Sequence, residues 1–200
     1  MQVKKEFNII SNYRFSVVPE EILGRMLKSI HGGIVSDYLE NFRVKKEFVH
    51  LIPRLFSAYK RLSENPYWKY IREYQGHNIV PLILREEFAS LICGNTVTPT
   101  FAANYMALWS DNTAATNADL LLWTETLRWT FTDRFNVENV AYLDKYFSSA
   151  EVWGNTYLEA WVFVDGTASA DTWYLLSRII IAETMTATET LTINASFTIS

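Results

Sequence analysis

From Leu191 onward the chain alternates without error. Leu191, Ile193, Ala195, Phe197 and Ile199 fall on one side; Thr192, Asn194, Ser196, Thr198 and Ser200 fall on the other. A period of two belongs to a strand with one buried and one wet face, and no helix satisfies it. The segment is therefore built into a sheet, at its edge or in its interior. Residues 77–84, 104–109, 127–135, 140–147, 157–164 and 173–181 are further strand candidates. Their spacing and the short turn at Asp165-Gly166 favour antiparallel pairing in a sandwich or jelly roll. Residues 85–93 read as a helix stopped by Gly94, and 119–126 as a second short one.

These strands lie on one side of a break in composition. All 18 threonines fall between Thr96 and Thr198, while seven of the eight lysines precede Gly76, leaving only Lys145 beyond it. Residues 1–76 carry 13 basic and 8 acidic side chains, a balance of +5; residues 77–200 carry 5 and 14, a balance of −9. Before the break the period is helical. In 18–30, Pro19 suits a first turn, Glu20 and Glu21 suit the positive end of the helix dipole, and Ile22, Leu23, Met26, Leu27 and Ile30 share a face. Gly32-Gly33 ends it. Residues 36–48, 55–62 and 67–74 carry similar stripes, separated by Pro53 and by Asn65-Pro66. The expected fold class is α+β: a helical docking or anchor unit over 1–76, a boundary at Gln75-Gly76, and an antiparallel, jelly-roll-like β-sandwich over 77–200.

The chain offers little for chemistry. His31, His50 and His77 lack the spacing of metal ligands, and Cys93 is the single cysteine, so no internal disulfide forms. That fits folding in a reducing cytoplasm. There is no nucleophile elbow, phosphate loop or dinucleotide fingerprint. Catalytic, cofactor and metal residues are expected to be absent. The carboxylates Glu86, Glu87, Asp133, Glu138, Asp144, Glu151 and Glu159 are numerous enough to supply a glycosidase-like pair, but acidic surface residues are far commoner. The acidic second part argues against nucleic acid. Apolar runs such as 179–182 fall far short of the about 20 residues that span a bilayer, and the first residues have no signal-peptide pattern. The basic first part reads either as a solvated helical face or as a surface that docks on an acidic neighbour.

Tryptophan and threonine say more. Trp109, Trp123, Trp129, Trp153, Trp161 and Trp173 all lie after Gly76. Buried, they fill a core or an interface; exposed, they stack on sugar rings. Trp129 alternates with Leu127 and Phe131 and is assigned to the core, whereas Trp109 and Trp153 border turns. Threonine favours extended backbone and keeps one face wet. A threonine-rich, lysine-poor sheet has few charges guarding its edges, which suits a protein tiled beside neighbours.

Several segments occur in a recognisable order. The strand and short helix at 77–94 come first, followed by Asn104-Tyr105-Met106-Ala107-Leu108-Trp109-Ser110-Asp111-Asn112-Thr113. The stretch from Asp119 to Glu125 with Arg128 is next, then Glu159-Ala160-Trp161-Val162-Phe163, Leu175-Leu176-Ser177-Arg178 and Thr188-Glu189-Thr190-Leu191-Thr192-Ile193. In this order they resemble a domain of tailed-bacteriophage structural proteins of the tail and tail-fibre kind, over about three-fifths of the chain. Trp109 and Trp161 stand where that family has glycine, and each bulky ring requires space or exposure. With Trp153 they are the candidate glycan or interface contacts. The resemblance implies a non-enzymatic virion protein of the tail, baseplate or fibre, assembled in the host cytoplasm. Its partners would be copies of itself and other virion proteins, with no cofactor, nucleic acid or membrane insertion. The basic helices would attach it to the particle, with the sandwich outward. Capsid decoration or head-fibre protein, and host-glycan receptor module, are the alternatives.

Overall fold

The alternating segment occupies the middle of a five-stranded sheet. In the computed structural model, residues 9–31, 39–40, 43–44, 67–77, 86–87, 89–91, 93–96, 101–110, 125–168 and 174–199 are described. The strands are β1 (Ile9–Pro19), β2 (Leu39–Glu40), β3 (Arg43–Val44), β4 (Arg72–His77), β5 (Ala103–Trp109) and β6 (Glu125–Thr130). They continue as β7 (Asp133–Val137), β8 (Val140–Phe147), β9 (Thr156–Val164), β10 (Tyr174–Thr184) and β11 (Glu189–Ile199). Two helices are described over their full length, α1 (Glu20–His31) and the single turn α2 (Ser149–Val152). The larger sheet runs β4-β1-β11-β8-β7 and the smaller β10-β9-β5-β6, with every pairing antiparallel.

The two sheets share one core. Tyr13, Phe15 and Val17 of β1, Leu143 and Phe147 of β8, and Leu191, Ile193, Ala195 and Phe197 of β11 project from the larger sheet. Met106, Leu108, Ala160, Val162 and Ile179 meet them from the smaller. The architecture is therefore a β-sandwich, stabilised mainly by this apolar burial at about 25 cal/mol per Å².

The described parts of residues 1–76 do not form the helical unit that their composition suggests. Ile9–Pro19 is a strand held between β11 and β4, with Tyr13 paired to both Ala195 and Gly76. Its inward residues alternate with outward Asn12, Arg14 and Ser16, a period of two inside the lysine-rich part. The composition break at Gly76 lies within β4. The helix expected over 36–48 is replaced, where described, by the short β2–β3 pair, and that over 67–74 by a 3-10 turn (Trp68–Tyr70) running into β4. The first helix is found as expected: α1 buries Leu23, Met26 and Leu27, and pairs Glu21 with Arg25 at 2.6 Å. Candidate elements over 55–62, 78–84 and 119–124 lie outside the described residues.

Beyond Gly76 the expected strands are found at 103–109, 140–147, 156–164 and 174–184. Residues 86–87 and 89–91 are helical, and Gly94 closes that helix at φ 79°. The segment 127–135 is not one strand. It breaks at Phe131-Thr132, where the chain leaves the smaller sheet for the larger. Thr132 fixes this corner, its amide donating to the Asp144 carbonyl (2.8 Å) and its hydroxyl accepting from the Tyr146 amide (3.0 Å). At the Asp165-Gly166 turn, Asn104 bonds Gly166 twice, at 2.7 and 2.9 Å.

Candidate functional site

Side chains alternate across a strand, so the residues of β1, β11 and β8 that do not enter the core face outward from the larger sheet. Register lines them up in two adjacent rows. One reads Gln75, Arg14, Asn194, Asp144, Asp133 across all five strands. The next reads Asn12, Ser196, Tyr142, Phe135. With strands about 4.8 Å apart, neighbours in a row lie within hydrogen-bonding reach. The rows enclose a groove of about 250 Å³, lined by Asn12, Arg14, Gln75, Tyr142, Asp144, Asn194 and Ser196 among others. Towards α1 the same face is covered: Ser16, Thr192 and Tyr146 are buried.

The groove is polar and internally braced. Asp144 is buried at its floor, 2% exposed, and accepts a hydrogen bond from Asn194 Nδ2 at 3.0 Å. Arg14 Nε lies 3.2 Å from Glu73 Oε1, close enough for charge attraction, but its N–H is not aimed at that oxygen and forms no hydrogen bond. Asn194 Oδ1 is likewise buried with no hydrogen-bond partner. Tyr142 is half-buried and stacks on Phe135, with centroids 4.8 Å apart and planes at 11°. Asn12 and Gln75 are exposed.

The three tryptophans singled out by sequence do not meet there. Trp109 and Trp161 are both buried, stacked on each other at 5.4 Å on the outward face of the smaller sheet. Trp161 Nε1 donates to Glu159 Oε2 (2.9 Å), the same oxygen that accepts from Arg178 Nε (3.0 Å), and the guanidinium lies 5.0 Å from the indole ring. Neither ring faces solvent. Trp153 does: it is 64% exposed, beside the turn at Gly154. Trp129 needs correction. It shares the core face with its cross-strand partner Met106, as the alternation requires, but β6 is an edge strand and the ring is 42% exposed at the rim. Lys145 points inward beneath it, its Nζ 5.3 Å from the Trp129 ring and 5.0 Å from that of Phe147. Burial pushes the amine below its ordinary range, and Glu151 partly opposes this.

Of the carboxylates, Asp133 and Asp144 are direct cross-strand neighbours. Glu159 is committed to Arg178, and Glu151 closes the capping box of α2 by accepting from the Ser148 amide at 2.7 Å. Among the described residues no cluster of three or more His, Cys, Asp or Glu is placed to hold a metal ion, and no helix is long and apolar enough to cross a membrane. Cys93 is exposed.

Sequence reasoning treated Asn194 and Ser196 only as a wet face and missed Asn12 and Arg14 altogether. The signal was present: Asn12-Tyr13-Arg14-Phe15-Ser16-Val17 alternates as cleanly as the segment at Leu191. No family model matches the chain, no curated protein matches it, and no solved structure matches it.

Proposed function

We propose that this chain is a non-enzymatic structural component of a tailed-bacteriophage particle, associated with the tail, baseplate or fibre and assembling through protein–protein interfaces. The order of motifs after Gly76 supplies the setting. The observation that carries the assembly reading is the position of the exposed apolar side chains. Three edge strands each hold one: Trp129 on β6, Val137 on β7 and Ile180 on β10, at 42%, 55% and 52% exposure. Lysine commonly guards such edges against pairing. The only lysine after Gly76 sits instead on the interior strand β8 and points inward. Edges that are apolar and unguarded suit a chain whose neighbours cover them. In this reading the basic surface of the first third docks on the particle.

Sedimentation of the full chain, alone and with Val137→Lys and Ile180→Lys combined, tests the reading. The unsubstituted chain is expected to self-associate and the double variant to be monomeric. Its unfolding midpoint should be nearly unchanged, since surface substitutions shift stability by about 0.5 kcal/mol or less. A chain that stays monomeric and is missing from purified particles would sink the proposal. Gold labelling on heads instead of tails would favour the capsid-decoration or head-fibre reading.

A further inference from the structure

The outward face of the larger sheet is more organised than a solvated surface requires. An exposed polar strand presents side chains to water one by one. Here a donor and an acceptor, Arg14 Nε and Asn194 Oδ1, lie out of solvent on directly paired residues with no hydrogen-bond partner. Leaving such groups unmatched costs about 1–3 kcal/mol each. Both atoms are shielded in the unbound groove, so the partly exposed Arg14 and Asn194 side chains must turn toward a ligand to pair with it, and that pairing recovers the cost. The ligand must donate to one and accept from the other at neighbouring positions, which is what adjacent hydroxyls do. At the groove floor, Asp144 is a further acceptor, fixed by Asn194. At the rim, the amides of Asn12 and Gln75 can each donate and accept. Tyr142, stiffened by its stack on Phe135, provides a flat apolar wall suited to the C–H face of a ring.

Charge narrows the choice. An anionic ligand entering beside Arg14 would meet Asp144 and Glu73, and a cationic one would meet Arg14 itself. Size narrows it again, because about 250 Å³ lies below the roughly 300 Å³ at which pockets for drug-sized ligands begin. We infer that this groove is a binding site for a neutral saccharide, one or two pyranose units of a glycan laid across β1, β11 and β8. The site is separate from Trp109, Trp153 and Trp161, and it does not depend on where the protein sits on a particle.

The test is an NMR titration of the ¹⁵N-labelled full chain with glucose, galactose, mannose, rhamnose, N-acetylglucosamine, maltotriose and tri-N-acetylchitotriose, each alone. At least one sugar is expected to shift the amides of residues 12–14 and 194–196 saturably. Asn194→Ala should weaken that binding by about tenfold, the worth of one well-made hydrogen bond. Asn12→Ala, on an exposed side chain that folding does not need, should weaken it measurably and serves if the first variant is unstable. If no sugar in the panel gives a saturable shift, or if the shifts centre on Trp153 and ignore Asn12→Ala, the site is not there. If sodium phosphate shifts the same amides at lower concentration than every sugar, the neutral-ligand assignment is wrong.

Discussion

Tyr13 shows how a single polar atom can couple the two sheets to pH. Its ring lies in the core against Phe15 and Phe197, and its hydroxyl pairs with Ser177 of the opposite sheet. Burial pushes the phenol far above its ordinary value of 10.0, with the Ser177 hydrogen bond pulling weakly the other way. Tyr146 is raised too, by burial first and then by Glu20 and Glu151. A phenol whose folded pKa is raised disfavours the folded state once the unfolded phenol ionises, because the buried group cannot ionise with it. Stability is thus intact below pH 10 and is lost as pH climbs above it, at about 1.4 kcal/mol per unit for each phenol. Tyr13→Phe cannot ionise. It should be less stable than the parent at pH 8, for want of the Ser177 bond, yet lose less on going from pH 10 to 11. Urea midpoints at the three pH values decide; equal losses would mean that Tyr13 does not titrate on unfolding. Lys145 acts in the opposite sense in this range, equally in both proteins. At this scale the sequence was least legible. Trp109 and Trp161 sit on alternating strands, and alternation tells which residues share a face, not that both faces of β5 and β9 are buried.

Strands and helices were legible wherever one face is wet. The residues at Leu191, at 140–147 and at Pro19-Glu20-Glu21 declared their elements because buried and exposed positions differ in polarity. β1 carries the same signal, yet the lysines, the acidic helix start and the helical stripes around it pointed to a helical unit, and composition outweighed period. The groove was hidden for the same reason: half of its lining residues belong to β1 and β4, two strands whose residues there were not read as strand, and cross-strand rows exist only once register is known. The position of β1, paired on both sides, gives a direct test. Ser16 faces Thr192 on one neighbour and Glu73 on the other, so proline there removes a ladder hydrogen bond from an interior strand. Ser16→Pro should cost on the order of 3–5 kcal/mol, the upper range for point substitutions, and should abolish the near-UV signal of Trp109, Trp129 and Trp161, which lie on strands 90 or more residues further on. If that signal is retained in full, β1 is not part of the sandwich and residues 1–76 fold apart from it.

A sandwich of two open sheets must be closed along both sides, and this one does so by different means. On one side the chain itself crosses from β6 to β7. On the other, β4 and β10 face each other, and Gly76 lets them approach: a Cβ there would run into Ile179. Arg72 of β4 then reaches Glu183 of β10 and Glu189 of β11, binding both carboxylates. Burial alone would raise the Glu189 carboxyl, but its bonds from Arg72 and from the Thr186 amide more than offset this, holding it below its ordinary value. A depressed carboxyl stabilises the fold above its unfolded pKa and ceases to do so as pH falls through the folded one. Arg72→Met keeps the apolar stem and removes the charge, leaving two carboxylates that are less than a tenth exposed without it. Because the guanidinium is nearly half exposed, the cost should be about 2 kcal/mol, less than the 3–5 for breaking a fully buried pair. The difference from the parent should also shrink as pH falls below about 4.5, as protonation removes from the parent what the substitution has already taken away. Denaturant midpoints above and below that pH measure it. A gap that stays constant would mean that Arg72 contributes packing alone, and that β4 and β10 hold together through the contact at Gly76 without help from charge.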